Sequence, residues 1–187
     1  MRSSSFIEIY DNSFNKKECE LIISQFEKSE QVRGQTADGY QPEVKNCYEL
    51  PGNNFKNGSI ISNIVRPVLD SYLDKYGEKY GQIRDYIRPW SVDNDYSVQK
   101  YETEDDGYKK WHCESGGGWT SKRMLAWMFY LNNAKCGTEF MNFPTIRAKM
   151  GRCVIWPSGW THHHRGVLPN KGLKYIVTGW CSFREDN

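Results

Sequence analysis

All four histidines of this chain lie in two short stretches: His112 in Trp111-His-Cys-Glu-Ser115, and His162, His163 and His164 in Trp160-Thr-His-His-His-Arg-Gly166. Both stretches are predicted as β-strands, and in a strand residues i and i+2 point to the same side. His112 and Glu114 then project together while Cys113 points away. A His-x-carboxylate pair joined by one later histidine has the makeup of a 2-His-1-carboxylate facial triad, which holds a non-haem Fe(II) and leaves coordination positions open. A lone strand histidine is ordinarily a hydrogen-bonded core residue. Confinement of every histidine to this spacing points instead to a metal. Period two removes only His163 as the third ligand and leaves both His162 and His164.

The elements that must carry these residues are of two kinds. In the first third, Asn15 followed by Glu18 reads as a capping box, and Cys19, Ile22, Ile23 and Phe26 form one apolar helix face. Ser59 is a candidate cap for a second helix with Ile61, Ile64, Val65, Val68 and Tyr72 on its buried side, and Pro67 inside it predicts a kink or two shorter helices. The stretch from Gly34 to Gly58 between them reads as a lid or a surface connection. From about Tyr86 the pattern changes to short segments rich in β-branched and aromatic residues: 96–101, 110–114, 123–131, 138–141, 145–149, 152–156, 162–165 and 174–180. Eight such segments predict a closed or double-sheet structure, and the unbroken apolar run Met124 to Leu131 predicts a central strand buried on both faces. The fold class expected is mainly β with N-terminal helices, a double-stranded β-helix of jelly-roll or cupin-like type. We expect a single domain over 1–187, with a helical support region at 1–85 and the β core at 86–187.

Composition narrows the function classes. The 187 residues carry 25 Lys+Arg against 23 Asp+Glu, a formal net charge of +2, which is too small for a dedicated nucleic-acid binder. A mean hydropathy of −0.77 and the lack of an apolar run near 18 residues argue against a membrane span. The first residues show no signal-peptide core, so a soluble cytoplasmic protein with no membrane partner is expected. The six cysteines are scattered without a Cys-x-x-Cys pair and read as reduced packing thiols.

Ten residues beyond His164 stands Lys174, within Gly172-Leu-Lys-Tyr-Ile-Val-Thr-Gly-Trp180. Here the sequence resembles the Fe(II)- and 2-oxoglutarate-dependent dioxygenases, specifically the prolyl-4-hydroxylase-like branch, with its His-x-Asp, later His, and Lys or Arg about ten residues on. Asn15 to Phe26, Val98-Gln-Lys-Tyr101, Gly107-Tyr108, Arg123 through Tyr130-Leu131-Asn132, Gly137-Thr-Glu-Phe140 and Lys149-Met-Gly-Arg152 continue the likeness in family order, over nearly the whole chain.

The resemblance implies roles. His112, Glu114 and His164 would be the iron ligands, the step to Lys174 and the following Arg165-Gly166 favouring His164, with His162 at the entrance or beside a ligand. Lys174 would hold the distal carboxylate of 2-oxoglutarate, Tyr130 and Thr178 would donate to it, and Tyr101 would lie near the metal and the keto-acid end. Trp180 would wall the pocket and Arg123 stand at the substrate mouth. The cofactor set implied is Fe(II), 2-oxoglutarate and O2, with ascorbate as accessory reductant. The reaction implied is hydroxylation of a C–H bond coupled to decarboxylation of 2-oxoglutarate to succinate. A proline-containing peptide is the first substrate expected; another side chain, a small molecule, or a non-catalytic β-sandwich binding module are the alternatives. One departure stands out: Glu114 occupies the family's Asp position. Its extra methylene pushes the carboxylate outward by roughly one C–C bond, so ligation requires a retracted strand or a different rotamer.

Overall fold

The computed structural model describes residues 5–51, 59–81, 83, 89–167 and 172–184. In chain order its strands are β1 (Glu8–Tyr10), β2 (Val32–Arg33), β3 (Lys45–Asn46), β4 (Tyr48–Leu50), β5 (Trp90–Val92), β6 (Ser97–Tyr101), β7 (Gly107–Tyr108), β8 (Arg123–Tyr130), β9 (Gly137–Phe140), β10 (Phe143–Arg147), β11 (Arg152–Pro157), β12 (His164–Val167) and β13 (Lys174–Phe183). Two helices, α1 (Lys16–Lys28) and α2 (Ile60–Lys79), precede the β-rich part.

The strands form an antiparallel eight-stranded sheet in the order β1-β11-β8-β13-β6-β4-β2, with β5 beside the end of β13. A three-stranded sheet, β10-β9-β12, and a pair, β3-β7, complete the β structure. This is the jelly-roll arrangement expected from the sequence. Its logic is visible in β8, flanked by β11 and β13. Leu125, Trp127 and Phe129 join the helices' apolar faces in one core. Ala126, Met128 and Tyr130 point the other way and pack with Phe140 and Ile146 of the smaller sheet. Two-sided burial is why this strand reads as continuous apolarity rather than alternation.

The helices cover the large sheet's outer face. The Asn15 cap is present in both directions, with Glu18 N–H donating to Asn15 Oδ1 at 3.0 Å and Asn15 N–H to Glu18 Oε2 at 2.7 Å. Cys19, Ile22 and Phe26 are buried as predicted. In α2 the buried stripe is Ile61, Val65, Leu69, Leu73 and Tyr76, while Ile64, Val68 and Tyr72 lie at its margin. The helix continues for 20 residues with Pro67 inside, so the predicted division into two is not found.

Three further differences from expectation concern short elements. The N-terminal region is not purely helical, because β1, β2 and β4 extend the large sheet at its edges. Strands of two or three residues show no period that a sequence could reveal. The segment 34–51 supplies β3 and β4, and the rest of the Gly34–Gly58 stretch, 52–58, lies outside the described residues. The segments holding the histidines are also less regular than predicted: Trp160–His162 is a 3-10 turn, β12 begins at His164, and His112 joins it through an isolated bridge. All six cysteines are free thiols, five of them buried. No helix among the described residues is long and apolar enough to cross a membrane.

Gly179 sits between Thr178 and Trp180 on β13, where a Cβ would lie 2.6 Å from Trp127 Cζ2 and 2.6 Å from Tyr96 Cβ. Both neighbours belong to the packed outer core, so neither yields easily. Gly179→Ala is expected to destabilise the fold by about 1–3 kcal/mol, read from chemical denaturation. A midpoint equal to wild type would show that this contact is not tight.

Candidate active site

The two histidine segments meet through a reciprocal backbone bridge: His112 N–H donates to His164 C=O at 3.0 Å, and His164 N–H to His112 C=O at 2.9 Å. Glu114 and Ser115 continue the junction by donating their N–H groups to Ser158 C=O at 3.0 and 2.9 Å. These main-chain bonds bring His112, Glu114 and His164 together, with one ligand atom from each lying within 4.8 Å of the others. His112 Nδ1 lies 3.0 Å from Lys110 C=O and His164 Nδ1 lies 2.9 Å from His162 C=O. A carbonyl can only accept, so both Nδ1 atoms carry hydrogen and both Nε2 atoms are turned toward Glu114. This is how metal-binding imidazoles are ordinarily oriented.

Glu114 Oε1 lies 3.2 Å from His164 Nε2 and 3.6 Å from His112 Nε2. Neighbouring ligands at about 2.1 Å from an octahedral metal are about 3 Å apart, so the two Glu114–imidazole spacings suit adjacent corners around one ion. The other oxygen, Oε2, accepts from Trp180 Nε1 at 2.7 Å and lies 3.6 Å from Arg123 Nη1. Burial alone would raise the Glu114 pKa, but the imidazoles of His112 and His164 hold it well below the usual carboxylate range. Tyr108 stacks on His112 at 3.5 Å between ring centroids, and Trp156 meets His164 edge-on at 5.1 Å.

The cluster opens into a cavity of about 90 Å³ lined also by Lys45, Gln99, Tyr101, Met128, Thr138, Gly166, Lys174, Ile176 and Thr178. Lys174 is only 3% exposed and forms no ion pair with a carboxylate among the described residues. Its ammonium lies 4.1 Å from the centroid of the Tyr101 ring. Burial pushes its pKa down, with only the Cys136 and Cys47 thiols opposing. The buried indole N–H of Trp156, also in the cavity wall, has no hydrogen-bond partner. An unpaired buried cation and an unused donor in one small cavity suit a dicarboxylate that reaches from the metal position to Lys174. A larger cavity, about 580 Å³, is elsewhere, between Phe6, Phe140, Phe143 and His162, and no carboxylate or ammonium among the described residues lines it.

Residues 96–182 match the sequence profile of the family described as the 2OG-Fe(II) oxygenase superfamily. These residues form a domain of that superfamily. Its members use Fe(II), 2-oxoglutarate and O2, and the chain is a 2-oxoglutarate-dependent oxygenase, prolyl hydroxylase-like in fold. No curated protein matches it in sequence. Among solved structures, the viral collagen prolyl hydroxylase of Paramecium Bursaria Chlorella virus-1, in its 2OG complex, aligns with a TM-score of 0.71 at 16% identity, over 96% of this chain and 97% of that one. A Trichoplax adhaerens prolyl hydroxylase in complex with a hypoxia inducible factor peptide aligns at 0.76 and 16% identity, over 96% and 84%. The carbocyclase SnoK from nogalamycin biosynthesis shares the fold at 0.70 and 8% identity, over 96% and 80%.

The oxygenase domain draws together most of the residues singled out in the sequence, with four adjustments. His162, in the 3-10 turn, lies within 2.8 Å of Ser5 C=O and lines that larger cavity; the shared-face argument fails because 162–164 is not one strand. Tyr101 faces Lys174, its partner in strand register, and its hydroxyl donates to Gln99 at 2.6 Å. The tyrosine touching the metal cluster is Tyr108. Tyr130 shares a 2.7 Å hydrogen bond with Thr138, so that Thr138 presents the hydroxyl to the cavity. Thr178 lines the cavity and donates to Trp127 C=O at 2.9 Å, which leaves its oxygen as an acceptor. Lys45, Gln99 and Thr138 escaped sequence reading. Gln99 and Thr138 share strand faces with Tyr101 and Phe140, a usable signal; Lys45, paired with Glu49 at 3.0 Å, carried none.

The lowered Lys174 pKa gives 2-oxoglutarate binding a definite pH dependence. The bound carboxylate favours the ammonium, so binding takes up a proton once pH exceeds the depressed free-state value, and affinity falls as pH rises further. Calorimetry in two buffers of different ionisation enthalpy should reveal that uptake on the alkaline side and none well below it. Lys174→Ala should weaken 2-oxoglutarate binding on the order of 100-fold, about 3 kcal/mol, and abolish the linkage. An unchanged affinity would remove Lys174 from the binding site.

Proposed function

We propose that this oxygenase hydroxylates a prolyl residue within a peptide or protein. Fe(II) held by His112, Glu114 and His164, together with 2-oxoglutarate, would supply oxygen activation coupled to decarboxylation to succinate and CO2. The chain's own residues define where each participant rests. Lys174 would bind the distal carboxylate, with the Thr138 hydroxyl beside it. Met128, Trp156 and Ile176 present apolar surface to the cavity and limit the water within it.

The observation that favours a peptide is an aromatic and guanidinium stack from the cavity wall to the surface. Trp180 lines the cavity, the Arg123 guanidinium lies 3.5 Å from its ring centroid, and Trp119 covers Arg123 at 4.6 Å while remaining 63% exposed. Trp160, 77% exposed, projects from the turn after Ser158, whose carbonyl is bonded to the Glu114 segment. An exposed tryptophan stacked outward from the cavity wall suits the flat, apolar ring of proline and an extended chain passing over it. The prolyl hydroxylase relatives agree with this reading, and SnoK shows that the fold alone does not choose the substrate.

Succinate release should therefore rise severalfold above the substrate-free background with proline-containing peptides, with a product mass gain of one oxygen on proline. Trp119→Ala should raise the peptide KM while leaving substrate-free turnover unchanged. Release with peptides that stays at background, alongside stimulation by free amino acids or small apolar molecules, would overturn the peptidyl assignment and leave the oxygenase chemistry intact.

A further inference from the structure

The Glu114 side chain poses a geometric problem that its neighbours answer. Glutamate has one more rotatable bond than aspartate at this position, so its carboxylate can turn both oxygens toward an ion. Two-oxygen binding would consume one of the positions that a 2-His-1-carboxylate centre leaves for its reaction. In this fold the two oxygens are treated differently. Oε1 faces both imidazole Nε2 atoms, whereas Oε2 takes the Trp180 indole N–H at 2.7 Å.

Resting on the metal-binding reading above, we propose that Trp180 is the positioning residue that makes Glu114 a one-oxygen ligand. It acts by holding Oε2 away from the ion. The indole is itself fixed on several sides. Trp180 stands in strand register with Ala126, and its carbonyl accepts from Trp127 Nε1 at 3.3 Å and from Asp93 N–H at 2.9 Å. Its face is covered by Arg123, whose Nη1 also donates to the Glu114 carbonyl at 3.2 Å. Arg123 thus ties the main chain of Glu114 to the same indole that holds its carboxylate. The pair Glu114 and Trp180 is matched in length: a carboxylate drawn back by one methylene cannot span the imidazoles and the indole together. A wall residue chosen only for its ring would need no N–H toward the ligand.

Mn(II) alone serves as the probe, with its affinity for the full chain measured by electron paramagnetic resonance of the free ion and fold monitored by thermal melting. Trp180→Phe keeps the ring and loses the donor, and should weaken Mn(II) binding roughly 10–100-fold. The same exchange in a Glu114→Asp background should change affinity less than about threefold, because the shortened carboxylate no longer meets the indole. Glu114→Asp by itself, which leaves the packed indole untouched, should also bind Mn(II) more weakly than wild type although aspartate is the family's usual residue. Equal affinities for wild type and Trp180→Phe, or equal losses in both backgrounds, would overturn the inference. Should Trp180→Phe fail to fold, a Glu114→Asp affinity at or above wild type would overturn it instead. If wild type binds no Mn(II), the metal-binding reading itself falls and takes this one with it, a result distinct from any difference among the variants.

Discussion

The pleat of β13 is the constraint on which both the fold and the site depend. Successive residues of a strand point to opposite faces, and β13 is paired on both sides, by β8 and β6. Tyr175, Val177 and Cys181 are thereby committed to the core beneath the helices, and Lys174, Ile176, Thr178 and Trp180 to the cavity. A slip of one residue would bury the ammonium among the aromatic side chains of the outer core and expose that core's residues to the cavity. The register that stabilises the protein is thus the register that sets Lys174 and Trp180 six residues apart on one wall.

Two charged side chains that line this cavity, Glu114 and Lys174, are in opposite conditions. Glu114 is surrounded by two imidazoles, an indole N–H and a guanidinium, and its charged form is favoured despite burial. Lys174 has an aromatic face and two thiols near it, and its charged form is disfavoured. Desolvating a cation without a partner costs free energy that the rest of the fold must offset, and a bound carboxylate returns part of it. The site therefore trades stability of the ligand-free protein for affinity, so the ligand is expected to stabilise the fold by mass action. Lys45, also buried, is paired with Glu49 and shows that a carboxylate could have been supplied. Its absence beside Lys174 is what distinguishes a binding cation from a structural one.

Much of this was legible in the chain because the information is local. The Asn15 and Glu18 cap, the apolar run of β8, and the spacing from His112 to Glu114 each occupy a few residues whose periodicity or chemistry is self-contained. Lys174 was legible from its distance to His164 within a recognisable family order. What escaped depends on contacts between distant segments. β1, β2 and β4 are strands only because the large sheet offers them an edge. His162 is two residues from His164, yet a 3-10 turn sends it to Ser5, since strand alternation begins only at the His112 bridge. Tyr101 and Tyr108 are both near the first histidine in sequence, and only the pairing of β6 with β13 shows that the former belongs to Lys174.

The same dependence on distant pairing explains how a longer acid can occupy the carboxylate position. Glu114 is not on a regular strand; its backbone is fixed by Ser158, and its neighbour His112 by a single reciprocal bridge to His164. A segment tied at so few points can set its main chain back slightly, whereas a residue in the middle of β8 or β13 could not move without disturbing partners on both sides. Placing the acid on the looser element and Trp180 in register with Ala126 of β8, with Arg123 at the first residue of that strand, lets the sheet define the position of the carboxylate. The reach of the acid is then set by the groups at its two oxygens, the imidazoles at Oε1 and the indole at Oε2.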